Sequence, residues 1–451
     1  MRAILMIIFL SGVVTAFAAD AVITPEKEVP HVTWVMETPD YWIRRHPAPD
    51  QVIMTPARIK IFNKALCAKS LTDDLGAMPL ILSGKSVRED IEKKLFGLKK
   101  KGFFRKDGAP VKASFYTFLD KNAAPDEVPR RVGVRPALTT AFTRQRMVPT
   151  DEPFYRLPGD IHFDQAQNSG IDPGVPLALL HESDDGEWFF VNDGISTGWV
   201  KAADVALVDE PVWRDFISPR KFVVITSARA RIFKDENMWE SLAAGRMGAR
   251  FILKRVKGKA AEVIFPQRGD DGKARMISAF IPRADVSPDY LRYTPRTIIR
   301  QAFKLFGMPY GWGDADGGQD CSRFVNMVFA TVGMALPRNS AEQGRSGLAS
   351  AEFDNRFNTV EKFVSIAGRG VGGATLLRLK GHIMLYLGEV DKRLYAIHAA
   401  WAYRVPSRMG DVTRVLGRVV VSDLSLGKGA GQGALLERIV AVRFLGDKEK
   451  D

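Results

Sequence analysis

Two stretches of the chain close on the same tripeptide, Ala203-Asp204-Val205 and Ala284-Asp285-Val286, 81 positions apart. Ahead of each, short apolar runs alternate with tight-turn residues. The first stretch has runs at 175–181, 187–191 and 198–200, with an Asp184-Asp185-Gly186 turn. The second has runs at 250–256, 261–265 and 274–281, with turns at Lys257-Gly258-Lys259 and Asp270-Asp271-Gly272. Gly-containing turns between strand-length apolar runs favour hairpins, and short strands joined this way favour small closed barrels. The sequence therefore predicts a duplicated β unit, at 150–208 and 220–290. At 451 residues the chain also exceeds the ~250–300 that one core can serve, so other domains must flank the pair.

At the N-terminus Arg2 precedes an apolar run over 3–17, and Ala16-Phe17-Ala18 puts small residues where a signal peptidase cuts. Residues 1–18 are expected to be a cleaved secretory signal, giving an exported protein, periplasmic or secreted, with no transmembrane anchor. The run is shorter than the ~20 residues a spanning helix needs. Residues 19–149 mix turn clusters with short helical patterns and are expected to form a clip-like, mostly helical or irregular segment. Thr55-Pro56 is a good helix start. Cys67, between Leu66 and Ala68, reads as a small buried hydrophobe. The formal net charge of +13 permits nucleic acid, anionic membrane or an acidic polymer as partner. The basic cluster at 99–106 has no RNA-binding motif around it, so it reads as a solvated loop and no nucleic-acid partner is expected.

The chemistry concentrates near the C-terminus. Thr294-Pro295 opens a helix that ends at Gly307, and the Gly-rich segment Tyr310-Gly311-Trp312-Gly313-Asp314 follows. Asp320 is a good N-cap for a helix whose apolar stripe is Phe324, Val325, Val328, Phe329 and Val332. Cys321 then occupies the first helical position, off that stripe, where unpaired N–H groups favour a nucleophilic thiolate. Of six histidines, His382 and His398 lie on two runs that read as a hairpin. Centring it on Val390 makes paired positions sum to 780, which sets His382 opposite His398. One could serve as base toward the thiol and the other could fix its tautomer.

The motifs Tyr310-x-Trp312-Gly313, Asp320-Cys321-Ser322, Leu336-Pro337-Arg338-x-Ser340-x-x-Gln343, Gly381-His382 and Ile397-His398-Ala399 resemble those of the NlpC/P60 family of papain-like cell-wall cysteine peptidases. The resemblance covers about residues 294–445, within a catalytic domain placed at 294–451. With the repeated units read as bacterial SH3-like barrels, the whole is expected to be multidomain α+β, similar in layout to γ-D-glutamyl-L-diamino-acid endopeptidases. That resemblance implies cleavage of peptidoglycan stem peptides by a monomer without metal or other cofactor. It assigns Cys321 as nucleophile, His382 as base and His398 as orienting residue. It further implies that Tyr310 aids the oxyanion, Trp312 walls the pocket, Asp320 and Ser322 hold a free N-terminal L-Ala amine, and Ser340 meets the D-Glu carboxylate. Asp314, Arg323 and Asn339 depart from the usual pattern near the cleft.

A zinc hydrolase is disfavoured by the lack of a His-Glu-x-x-His helix. A non-enzymatic wall-binding protein would have no need for the cysteine and both histidines. A related papain-like amidase or acyltransferase would keep the fold and change the reaction.

Overall fold

The computed structural model describes residues 25–447, so the expected signal at 1–18 lies outside the described residues. Two seven-stranded antiparallel sheets repeat one topology. In the first, the spatial order is Gln167–Ile171, Thr143–Arg146, Thr197–Lys201, Trp188–Asn192, Pro176–Glu182, Arg135–Thr139 and Val205–Leu207. The second follows it strand for strand: Ser241–Arg246, Arg229–Phe233, Ala274–Pro282, Ala260–Arg268, Arg250–Lys257, Phe222–Ile225 and Val286–Pro288. Both repeats of the tripeptide fall at one place, where a 3₁₀ turn (Ala202–Asp204, Arg283–Asp285) feeds the closing strand. The first sheet begins earlier than the expected boundary at 150. Arg135–Thr139 and Thr143–Arg146 belong to it, and the sequence hides them because Arg and Thr interrupt their apolar alternation.

The segment expected as one clip serves two bodies. Met36, Trp42, Ile59 and Leu66 bury into the same core as the helix that carries Cys321. Val87, Ile91, Leu95 and Leu119, from helices Gly84–Lys99 and Ala113–Ala123, instead pack beneath Trp188, Phe190 and Trp199 of the first sheet. Thr55 caps its helix as expected, accepting from the Arg58 N–H at 3.4 Å. Cys67 is half-buried rather than buried, and its sulfur lies 3.3 Å from the Thr72 hydroxyl.

The C-terminal domain is built on a six-stranded antiparallel sheet in the order Leu348–Glu352, Ile439–Phe444, Thr375–Leu379, His382–Val390, Arg393–Val405, Val412–Asp423. Helix Cys321–Ala330 packs on one face, sharing a core with Ile383, Leu385 and Ile397. Side chains alternate along a strand, so His382, Met384, His398 and Ala400 face the other way. Among the described residues no helix is long and apolar enough to cross a membrane.

Candidate active site

Asp320 caps the helix that begins at Cys321, as expected, accepting from the Arg323 N–H at 2.8 Å. Cys321 follows at its first position, yet it is buried, 6% exposed, and belongs to the core cluster instead of lying off it. The whole span from Cys321 to Phe329 is buried, with Asp172 of the first sheet against Arg323 and Gly248 of the second against Met327 and Ala330. Burial and the Asp320 charge push the thiol up to about 12, against N–H groups of Ile383 and Ser322 and the Arg338 charge. The expected resting thiolate is therefore not favoured; desolvation outweighs the helix end.

The histidine hairpin forms with a different register. Its turn is Asp391-Lys392, both at positive φ (49° and 58°), as a two-residue I′ turn requires. Next to the turn the pairs sum to 783, as in Glu389 with Leu394. An odd sum would put His382 and His398 on opposite faces. A bulge between Tyr386 and Gly388 absorbs one residue, and beyond it the pairs sum to 782, as in Leu385 with Ile397. The two histidines thus become diagonal neighbours on one face, with His382 Nε2 2.8 Å from His398 Nδ1. His398 Nε2 in turn lies 2.9 Å from Ser422 Oγ on the next strand.

Two proton arrangements satisfy this series, and the one that supplies a base at His382 Nδ1 has Ser422 as acceptor. With Ser422 as acceptor, His398 carries its proton on Nε2 and offers Nδ1 as acceptor to the His382 Nε2–H. His382 Nδ1 is then left bare as the basic nitrogen. Burial, with the nearby Arg438 charge, lowers the pKa of His382 to about 4, while Asp320 opposes the shift. Burial and His382 together hold His398 well below the usual range. Ser422 was not legible beforehand, since locating it needs the pairing of a third strand.

The other expected residues divide. Tyr310 and Trp312 wall the cleft that holds both histidines, with a volume of about 350 Å³. Burial, with the Cys321 and Asp320 charges beside it, pushes the Tyr310 hydroxyl well above its ordinary range. Asp320 is saturated by five donors: Arg338 through Nη1 and Nη2 (3.1 and 2.8 Å), the Ser322 hydroxyl, and the N–H groups of Gly313 and Arg323. Ser322 accepts from Arg338 at 3.0 Å. Both residues are committed to internal bonds, so neither offers a vacant acceptor to an ammonium. Ser340 only begins the short helix Ser340–Gln343, which Asn339 caps, and it does not line the cleft. Gln343 of the same motif donates to the Ser322 and Pro337 carbonyls, tying the first turn of the Cys321 helix to the loop before Gln343.

The departures Asp314 and Arg323 belong to a buried network of three carboxylates and three guanidiniums. Asp172, from the first barrel, pairs with Arg246 of the second sheet at 2.9 Å and with Arg323 at 3.0 Å. Asp314 lies 3.3–3.5 Å from Arg246, Arg323 and Arg338, and accepts from the Gly170 N–H at 2.9 Å. Burial alone would raise Asp314, but Arg338, Arg246 and Arg323 hold it below the usual carboxylate range. Arg338 also donates to Ser169 at 2.7 Å, so both seven-stranded sheets are tied to the segment around Cys321. Above this network Phe163 meets Trp312 edge-on at 5.4 Å, and His162 lies over Trp401 with ring centroids 4.5 Å apart. The barrel thereby supplies a wall of the cleft. Among the described residues no group of three His, Cys, Asp or Glu side chains is placed to hold a metal.

Comparison with known proteins agrees with this architecture. Residues 307–400 match the NlpC/P60 family, and residues 153–201 match an SH3 domain of the SH3b1 type. A gamma-D-glutamyl-L-lysine dipeptidyl-peptidase of Bacillus subtilis is 27% identical over 117 residues, 26% of this chain and 40% of that protein. A bifunctional muramidase/DL-endopeptidase of the same species is 32% identical over 95 residues, 21% of this chain and 26% of that one. The chain thus spans less than half the length of these curated relatives. A solved NlpC/P60 endopeptidase from Photobacterium damselae subsp. piscicida superposes over 91% of this chain and 97% of its own with a TM-score of 0.73, at 18% identity, so the likeness there is one of fold. With the cysteine, the paired histidines and the barrel wall in place, the chain carries an NlpC/P60 family domain preceded by an SH3 domain.

Proposed function

We propose that the protein is an exported cysteine peptidase that cleaves the amide between γ-D-Glu and the diamino acid of peptidoglycan stem peptides. The observation that carries this reading is the hydrogen-bonded series His382, His398, Ser422 in a cleft walled by Tyr310 and Trp312, within the residues that match the NlpC/P60 family. Relatives named for γ-D-glutamyl-lysine and DL-endopeptidase activities support the substrate class. The second seven-stranded sheet, with the topology of the first, supports two SH3-like barrels.

The resting pair is neutral thiol and neutral imidazole. His382 takes the Cys321 proton as sulfur attacks the γ-carbonyl carbon, and the Cys321 N–H with Tyr310 stabilises the oxyanion. His382 then returns the proton to the leaving amine, and water, deprotonated by His382, releases γ-D-Glu from the thioester. The barrel wall at Phe163 favours short stem peptides with a free L-Ala over intact sacculus. That selectivity rests on the wall that Phe163 adds to the cleft, since Asp320 is already saturated.

Mass spectrometry of products from tripeptide and tetrapeptide stems, with and without a free L-Ala amine, tests the reading. Release of L-Ala-γ-D-Glu by the wild type and not by Cys321→Ala is expected. Cleavage at another bond, or undiminished turnover by Cys321→Ala, would overturn it.

A further inference from the structure

Residues 99–112 carry six basic side chains and one acidic one, Asp107, and they flank an apolar pocket of about 230 Å³. The pocket lies where the turn structure at 103–111 and helix Ala113–Ala123 meet residues 152–154, which lead into the first barrel. Val111, Phe115, Phe118 and Phe154 give it an apolar lining, and Arg105, Lys112 and Glu152 are its charged groups. Phe115 stacks on Phe118 with ring centroids 5.8 Å apart and meets Phe154 edge-on at 5.7 Å. Phe118 lines the pocket and is still 50% exposed, so its ring stands at the mouth.

Two of the six cations have partners: Arg105 pairs with Glu152 at 3.6 Å, and Lys99 with Asp120. Lys100, Lys101, Lys106 and Lys112 are exposed and make no ion pair among the described residues. Asp107 accepts from the Ala109 N–H at 3.0 Å and serves its own turn. The Lys99–Asp120 pair ties the end of helix Gly84–Lys99 to helix Ala113–Ala123, so Lys100 and Lys101 leave from beside the helix that walls the pocket. The Lys100 ammonium lies 5.8 Å from the ring centroid of Phe96, which is itself 63% exposed. Exposed phenyl rings beside unpaired ammonium groups are matched by a partner that is anionic at its surface and apolar beneath. A sugar polymer or a nucleic acid supplies the anions and no chain to fill the pocket.

We infer that this face docks on an anionic lipid bilayer, with the four lysines against headgroup phosphates and Phe118, with the pocket behind it, taking up acyl-chain carbons. The pocket is joined to the cleft through the backbone. The Phe154 N–H donates to Asp164 at 3.0 Å, and the Phe154 carbonyl accepts from the Gln165 N–H at 2.7 Å. Those two residues directly follow Phe163, which walls the cleft. The connecting loop, 156–163, adds exposed Leu157 and Ile161. A protein docked by this face therefore holds its cleft close to the membrane surface.

The test is flotation of the protein with vesicles of phosphatidylcholine alone and of phosphatidylcholine mixed with phosphatidylglycerol. Binding to the anionic vesicles is expected to exceed binding to the neutral ones by about tenfold or more, since each lysine at such a surface is worth about fivefold. Added salt should weaken it. Lys100→Glu combined with Lys101→Glu should cut binding by about tenfold or more. Phe118→Ser should cut it by about fivefold, the share of a half-exposed phenyl that enters the acyl region. These side chains are exposed, so both variants should keep the wild-type thermal midpoint, which shows that they are folded. Equal binding to the two kinds of vesicle, or wild-type binding by either variant, overturns the inference. So does release by inorganic phosphate where chloride of equal ionic strength has no effect, which marks a site for a free anion. Retention on isolated sacculi that anionic vesicles do not reverse overturns it in favour of a wall polymer. None of these readouts depends on the peptidase reaction.

Discussion

Arg323, two residues along the helix from the nucleophile, donates to Asp172 of the first barrel at 3.0 Å, and both are buried. The helix that begins at Cys321 is therefore held from outside its own domain. Asp172 also receives the fork of Arg246 through Nε and Nη2. Removing its charge leaves two buried cations with Asp314 as their remaining carboxylate, and breaking a buried pair from one side costs about 3–5 kcal/mol. Asp172→Asn should lower the unfolding free energy by that order, measured by denaturant titration. Adding Arg246→Met should recover part of the loss, because the two changes share a partner.

Asp314 sets two effects against each other. Its φ of 69° suits glycine, which would relieve about 1 kcal/mol of backbone strain. Its carboxylate faces three guanidiniums, and their uncompensated burial outweighs that gain by several-fold, at roughly 3–5 kcal/mol. Asp314→Gly should therefore destabilise the protein, with a lower thermal midpoint. A rise in the midpoint would show that the strain dominates.

The histidine series predicts graded losses. His382→Ala should reduce kcat by about 10²–10⁴-fold, the usual worth of a general base. His398→Gln can still accept from His382 and should lose less than His398→Ala. Ser422→Ala removes the hydrogen-bond partner of His398 Nε2, and a loss of about tenfold is expected, in kcat more than in KM. Steady-state kinetics on one tripeptide ranks all four.

The pH dependence follows from burial. His382 must be neutral to act as base and stays so until about pH 4, so the acid limb of kcat/KM should lie well below the ordinary histidine range. Stability changes in the same direction. Between the unfolded value near 6.5 and the lowered folded value, the unfolded chain binds more protons, so stability falls as pH drops through that window. A limb centred near 6.5 would mean that His382 is solvated.

Much of the site could be read before the fold because its signals are local. Asp320 as cap, Cys321 at the first helical position and the Gly-rich turn depend on neighbours in sequence. The pairing of His382 with His398 was anticipated from a hairpin sum of 780. The true turn and bulge give 782, and only the shared parity preserved the face. Had the chain lacked the extra residue at Leu387, the same reasoning would have placed the base wrongly. What stayed hidden is long-range: Ser422 on the third strand, Phe163 and His162 in the barrel loop, and the union of Asp172, Arg246 and Arg323 from three bodies. Each is an unremarkable polar or aromatic residue until the sheets are docked, and the protonation of Cys321 depends on that same docking.

The protonated thiol has a consequence for how the protein could be inhibited. Electrophiles that trap cysteines in proportion to their thiolate fraction, such as simple haloacetamides and oxidants, should find Cys321 slow to react. A compound that places a carbonyl or nitrile between the Cys321 N–H and His382 would instead induce the proton transfer it needs. Selective inhibitors of such a site would owe their speed to recognition in the cleft, and the same protection would let the resting protein persist among oxidants that consume exposed thiolates.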